Sequence, residues 1–155
     1  MSKSDVRSML LAGVGGQGIL RASDILCMVL MEVGFDAKKS EVHGMAQRGG
    51  CVTSQVRYGS KVYSPLAAPG SVETLIAFEK MESLRYLNYL HPEASVILNT
   101  EEIYPPAVNM GETLYPHDVI GFLNKHYQRV IALNAAELAQ KAGNIKAANV
   151  VLLGA

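Results

Sequence analysis

Two glycine-rich stretches hold the residues whose types and spacing could do chemistry. The first is Gly13-Val14-Gly15-Gly16-Gln17-Gly18. The apolar run Leu10-Leu11-Ala12 enters it, and an apolar helical pattern leaves it from Ile19. That order reads as strand, tight turn and helix N-terminus. Glycines let the backbone turn sharply and keep Cβ atoms out of a ligand's way. The first turn of a helix offers unpaired N–H groups and the positive end of its dipole, so a phosphate or carboxylate is favoured there. The second stretch is Arg48-Gly49-Gly50. Successive glycines can form a nest of N–H groups around an anion. A guanidinium beside them can pair with a phosphate or carboxylate in bidentate fashion. The bland alternatives are a closely packed turn for the first stretch and a loop with a solvated arginine for the second. The candidate binding residues are Gly13, Gly15, Gly16, Gln17, Gly18, Arg48, Gly49 and Gly50.

No residue is nominated for catalysis or as a metal ligand. His43 could exchange a proton near neutral pH, but a lone histidine beside a glycine is more often a packing or hydrogen-bonding residue. The sequence has no nucleophile elbow, no spaced pair of metal-ligating histidines and no acid–base dyad. Gly13, Gly15 and Gly18 also fit the dinucleotide-binding spacing, which needs an acid about 20 positions further on, at the end of the next strand. Asp36 precedes the expected second strand and Glu41 lies late in it. This counts against a small NAD-dependent dehydrogenase and against FAD. The two cysteines, Cys27 and Cys51, form no C-x-x-C pair. Cys27 is expected in the core. An iron–sulfur cluster usually takes four thiolates.

The elements that must position these stretches follow from periodicity. Ser8 to Ala12 lacks alternation and predicts a strand buried on both faces. Gly18 to Val33 predicts a helix ended by Gly34. Ala37 to Val42 predicts a second strand, with Lys39, Glu41 and His43 on one face. The stretch from Val42 to Gly50 has no usable period and reads as a loop, and its part from His43 to Gly50, which carries Met45, is expected to face a partner. Cys51 to Tyr58 alternates, Gly59-Ser60 is a turn signal, and Lys61 to Ser64 returns, which predicts a β-hairpin. Thr74 to Phe78 reads as a buried strand, Glu79 to Leu90 as a helix stopped by His91-Pro92, and Ser95 to Leu98 as another strand. Glu112 to Tyr115 could be a short strand. Asp118 begins a helix to Tyr127, Arg129 to Leu133 is a strand, and Asn134 caps a helix from Ala135 to Ala142. The alternation predicts an α/β, three-layer fold with a mixed, mostly parallel sheet. Both glycine stretches should then meet at the carboxyl edge of the strands, where ligands of such folds bind.

The 155 residues fit a single domain, residues 1–155. Charged residues make up 18% of the chain and the formal net charge is zero, against roughly 25% charged in an average domain. Such a surface tends to associate, so a partner or second copy is expected to cover part of it. No basic stripe points to nucleic acid. Apolar runs are too short to span a bilayer, and no signal-peptide pattern is present, so a cytoplasmic location is expected. The final apolar stretch, Val150 to Ala155, is expected to continue into further chain.

Taken with Ser40-Glu41-Val42-His43-Gly44-Met45-Ala46-Gln47-Arg48-Gly49-Gly50, the first glycine stretch resembles the gamma-type subunit family of 2-oxoacid:ferredoxin oxidoreductases. Val52 to Gly59 and Val62-Tyr63-Ser64-Pro65 are similar to the family pattern too, and the closest likeness is to the indolepyruvate branch. The resemblance implies the fold of the gamma domain of pyruvate:ferredoxin oxidoreductase. It also implies an accessory subunit, inactive alone, of an enzyme that oxidatively decarboxylates an arylpyruvate, forms an acyl-coenzyme A and reduces ferredoxin. Thiamine diphosphate, magnesium and iron–sulfur clusters would sit on a larger partner subunit. Coenzyme A would place its phosphates near Gly15 to Gly18 and Arg48. Pyruvate-type members carry lysines before the two glycines, where this chain has Gln47-Arg48, which keeps a charge there with different geometry. A free-standing nucleotide-binding or regulatory module of the same fold is the alternative reading.

Overall fold

The computed structural model describes residues 5–43 and 50–155. Six strands form one sheet in the order β2-β3-β1-β4-β5-β6. They are β1 (Arg7–Val14), β2 (Asp36–His43), β3 (Cys51–Gly59), β4 (Val72–Ala77), β5 (Leu90–Asn99) and β6 (Arg129–Leu133). β1 pairs parallel with β4, β4 with β5, and β5 with β6. β3 runs antiparallel to both β1 and β2. The sheet is therefore mixed, with more parallel than antiparallel pairings, as the sequence predicts.

Helices cover both faces. On one side Leu10, Ala12, Leu75, Ala77, Val96 and Leu98 pack with Leu84 of α2 (Lys80–Arg85) and with Val119 and Leu123 of α4 (Val119–His126). On the other, Leu11, Val52, Val56 and Ile76 pack with Ile19, Ala22 and Leu30 of α1 (Ile19–Glu32). Ala135 of α5 (Ala135–Lys141) and Leu152 of α6 (Ala148–Gly154) complete that side. β1 contributes to both cores, so its unbroken apolar run is explained: both of its faces are buried. Cys27 is buried, as expected.

Three expectations are corrected. The hairpin does not form, because both edges of β3 are already taken by β1 and β2. No edge remains for Lys61 to Ser64 to join. Val62 is instead buried singly, its N–H donating to Asp36 Oδ2 at 2.9 Å, while Tyr63 points to solvent. The helix expected up to Leu90 stops at Arg85, followed by a 3₁₀ turn at Leu87–Tyr89. Leu90 is needed in the sheet, opposite Val72, and the register shift before Thr74 accommodates Pro92, which has no N–H to give. Glu112 to Tyr115 is not a strand; the short helix α3 (Pro106–Asn109) precedes it.

Candidate functional site

The carboxyl ends of β1, β4, β5 and β6 meet at one edge of the sheet. The amino end of β3 joins them, since Val14 lies opposite Cys51. The two glycine stretches touch here: Gly15 N–H donates to Gly50 O at 2.9 Å. Gly13, Gly15, Gly16, Gln17, Gly18 and Gly50 are thus brought together. Arg48, Gly49 and Met45 lie outside the described residues, as does the side chain of His43.

Each glycine of the loop has its own physical reason. A Cβ on Gly13 would lie 2.7 Å from both Phe78 Cβ and Gln17 Oε1, so Gly13 permits close packing and does not face a ligand. Gly16 and Gly18 hold φ of 108° and 78°, a region that side chains rarely adopt. A Cβ on Gly16 would meet none of the described residues within 4 Å, whereas one on Gly18 would lie 2.8 Å from Asn149 Nδ2. Asn149, in α6, donates to Gly18 O at 3.3 Å.

Gln17 turns inward. Its Oε1 accepts from Val14 N–H at 2.8 Å, closing the loop on itself. Its Nε2 donates to Phe78 O at 2.8 Å and to Glu101 Oε2 at 3.0 Å. Buried Asn99, at the end of β5, donates to the same Phe78 O and Glu101 Oε2 at 3.0 and 3.2 Å. It also accepts from Ala135 N–H, the first residue of α5, at 3.0 Å.

Among the described residues nothing closes the start of the helix that leaves the loop. α4 and α5 are capped by the side chains of Asp118 and Asn134, at 3.1 Å each. The N-cap of α1 is Gly18; among the described residues no side chain caps it, and its first turn carries no acid. The first-turn N–H groups have no acceptor within the helix. An open cleft of ≈ 530 Å³ lies in front of them, lined by Gly15, Gly16, Gly18, Ile19, Leu20, Arg21 and Val52. Arg21 is absent from the sequence-based candidates. Its signal is a cation in the first helical turn, where the dipole disfavours one. A cation and free N–H groups on one wall suit a phosphate or carboxylate. The dinucleotide geometry is absent: β2 is an edge strand beside β3, and Asp36 is occupied by Lys38 and by the Val62 N–H.

Beside this site the start of α2 is anchored by a buried acid. Glu79 accepts from Glu82 N–H at 3.0 Å, from Ile103 N–H at 3.2 Å and from the Tyr115 hydroxyl. Glu82 is also buried; one carboxylate oxygen pairs with Arg85 at 2.8 Å and the other has no hydrogen-bond partner among the described residues. Burial pushes the Glu82 pKa up, against the pull of Arg85. Burial, with Cys51 and Glu82 nearby, pushes the Tyr86 phenol up to about 12.

Residues 8–155 match the family Pyruvate ferredoxin/flavodoxin oxidoreductase. Indolepyruvate oxidoreductase subunit IorB of Archaeoglobus fulgidus is 45% identical over 149 residues, 95% of this chain and 74% of the relative. The Pyrococcus horikoshii subunit of that name is 38% identical over 151 residues, 96% of this chain and 75% of the relative. Among solved structures, the gamma subunit of a keto/oxoacid ferredoxin oxidoreductase from Geobacter sulfurreducens superposes with a TM-score of 0.65 at 23% identity. That match covers 96% of this chain and 73% of the other. 2-Oxoglutarate:ferredoxin oxidoreductase from Magnetococcus marinus, solved with 2-oxoglutarate, coenzyme A and succinyl-CoA bound, gives a TM-score of 0.70 at 18% identity. It covers 99% of this chain and 24% of the other. At these identities the structures speak for the fold, and the fold agrees with the sequence match: the chain belongs to the pyruvate ferredoxin/flavodoxin oxidoreductase family.

Proposed function

We propose that this chain is the accessory subunit of a ferredoxin-dependent oxidoreductase that converts an arylpyruvate, with indolepyruvate as the foremost candidate, to its acyl-coenzyme A. The IorB relatives support that assignment. The observation that carries a role at the coenzyme A site is the uncapped start of α1, with its left-handed glycines and Arg21 on one cleft. Coenzyme A is the thiol substrate that takes up the acyl group, and its phosphates suit free N–H groups and a guanidinium. Arg48, which follows the end of β2, is assigned to the same anion. Thiamine diphosphate, magnesium and the iron–sulfur clusters are assigned to a larger partner subunit, and the complex to the cytoplasm. No described helix is long and apolar enough to cross a membrane.

Native purification tests the assignment. The chain should bring down a large cysteine-rich subunit, and the complex should reduce ferredoxin with indolepyruvate and coenzyme A. A chain that purifies alone, with no arylpyruvate oxidation on adding the partner, refutes it. Within the complex, Arg48→Ala should raise the KM for coenzyme A about tenfold, from the loss of a charge-assisted pair. Unchanged coenzyme A kinetics would return Arg48 to the surface.

A further inference from the structure

We infer that Glu101 is a positioning residue for the coenzyme A cleft, acting through Gln17, with Asn99 as its anchor. The inference rests on the reading of the glycine loop as a coenzyme A site. The loop joins β1 to α1, and nothing in its own sequence fixes its path, because Gly15, Gly16 and Gly18 carry no side chains. Its backbone is held where Gly15 N–H meets Gly50 O and where Asn149 meets Gly18 O, and the one polar side chain that adds a hold from within the loop is that of Gln17. Its two ends reach Val14 N–H on one side and Phe78 O with Glu101 Oε2 on the other. Glu101 lies on the loop after β5, 84 positions away in sequence from Gln17.

The geometry at Glu101 is one acceptor oxygen between two amides. Oε2 takes Nε2 of Gln17 at 3.0 Å and Nδ2 of Asn99 at 3.2 Å. Both amides also donate to Phe78 O, so the three side chains and this carbonyl form a closed polar knot. Asn99 cannot turn over in it, because its Oδ1 is committed to Ala135 N–H at the buried start of α5. Asn99 thus fixes the carboxylate, the carboxylate fixes the Gln17 amide, and Oε1 of that amide fixes Val14 N–H at the mouth of the loop. Glu101 itself is exposed. Glu101 does not line the cleft, so its tie to the site runs through the grip on Gln17.

The test uses the assembled complex and two substitutions. Glu101→Ala removes the acceptor. Glu101→Gln keeps an oxygen for both amides and discards the charge. Hydrogen exchange over residues 13–20 reads the loop, and the KM for coenzyme A against kcat reads the site. For Glu101→Ala we expect faster exchange in the loop, a KM for coenzyme A raised roughly five- to tenfold and kcat at saturating coenzyme A unchanged. For Glu101→Gln we expect wild-type exchange and a wild-type KM, because both amides keep an acceptor. Unchanged loop exchange in Glu101→Ala overturns the positioning role. Faster exchange with an unchanged KM also overturns it, provided Gly18→Val raises that KM. If Gly18→Val leaves the KM unchanged too, the coenzyme A reading itself fails and this inference falls with it. A raised KM in Glu101→Gln as large as in Glu101→Ala would show that the charge matters and the grip does not.

Discussion

Gly18→Ala isolates the physical role of the loop in one methyl group. The backbone at Gly18 stands at φ 78°, and an L-residue in the left-handed region costs about 1–2 kcal/mol. The new Cβ would also lie 2.8 Å from Asn149 Nδ2. Asn149 must then swing aside and give up its 3.3 Å bond to Gly18 O, worth about 0.5–1.5 kcal/mol. The sum is about 1.5–3.5 kcal/mol. At about 2–4 °C per kcal/mol for a chain of this size, the midpoint should fall by roughly 3–14 °C. Urea unfolding of the purified subunit should show the same loss as a lower midpoint at unchanged slope. Gly16→Ala is the control: it carries φ 108° with nothing among the described residues within 4 Å, so it should register backbone strain alone. The contact part is separated by Asn149→Ala. In the double variant the side chain that the new methyl group would strike is already gone, so the two losses should fall short of additivity by about 1 kcal/mol. A Gly18→Ala variant as stable as the wild type would refute the conformational argument. Full additivity with Asn149→Ala would refute the steric one.

Glu79→Ala strands three donors, the N–H groups of Glu82 and Ile103 and the Tyr115 hydroxyl, and removes the cap of α2. It should cost more than about 3 kcal/mol in urea unfolding, and Tyr115→Phe only a fraction of that. Glu82 has a folded-state pKa raised by burial. Its effect on stability is therefore most favourable below the ordinary glutamate range and is lost as pH rises through the raised pKa. Glu82→Gln should gain stability over the wild type at neutral pH, and the gain should vanish in acid; a gain independent of pH would contradict the assignment. Arg21→Ala should raise the KM for coenzyme A several-fold in the complex, with an effect that shrinks as salt is added. A salt-independent change would mean lost packing instead.

The strands that feed the site are legible in the sequence because they are buried on both faces. The runs at Leu10 to Ala12, Leu75 to Phe78 and Val96 to Leu98 have no polar alternation to mislead, and each lies within or at the end of its strand. The hairpin signal misleads because a turn says nothing about whether a strand has a free edge, and both neighbours of β3, β1 and β2, come from residues before that turn. The glycine loop is visible from its spacing. Gln17 can be seen as part of it, but not what it does, since its partners Phe78 and Glu101 lie 61 and 84 positions away. Arg21 is masked by the apolar period around it, which marks the buried face of α1 and draws the eye from the exposed one.

The place of β1 at the middle of the sheet also bears on how the chain is made. Its partners β3 and β4 emerge from the ribosome later, and Ala77, which ends β4, follows Val14 by 63 residues. At about 5–20 residues per second, β1 waits roughly 3–13 s until partners for both of its edges have been made. During that interval the nascent chain displays an apolar strand, Met9 to Val14, that can pair with any other strand it meets. Synthesis with chaperones that bind extended apolar segments should therefore raise the yield of folded subunit far more than any change to the finished surface.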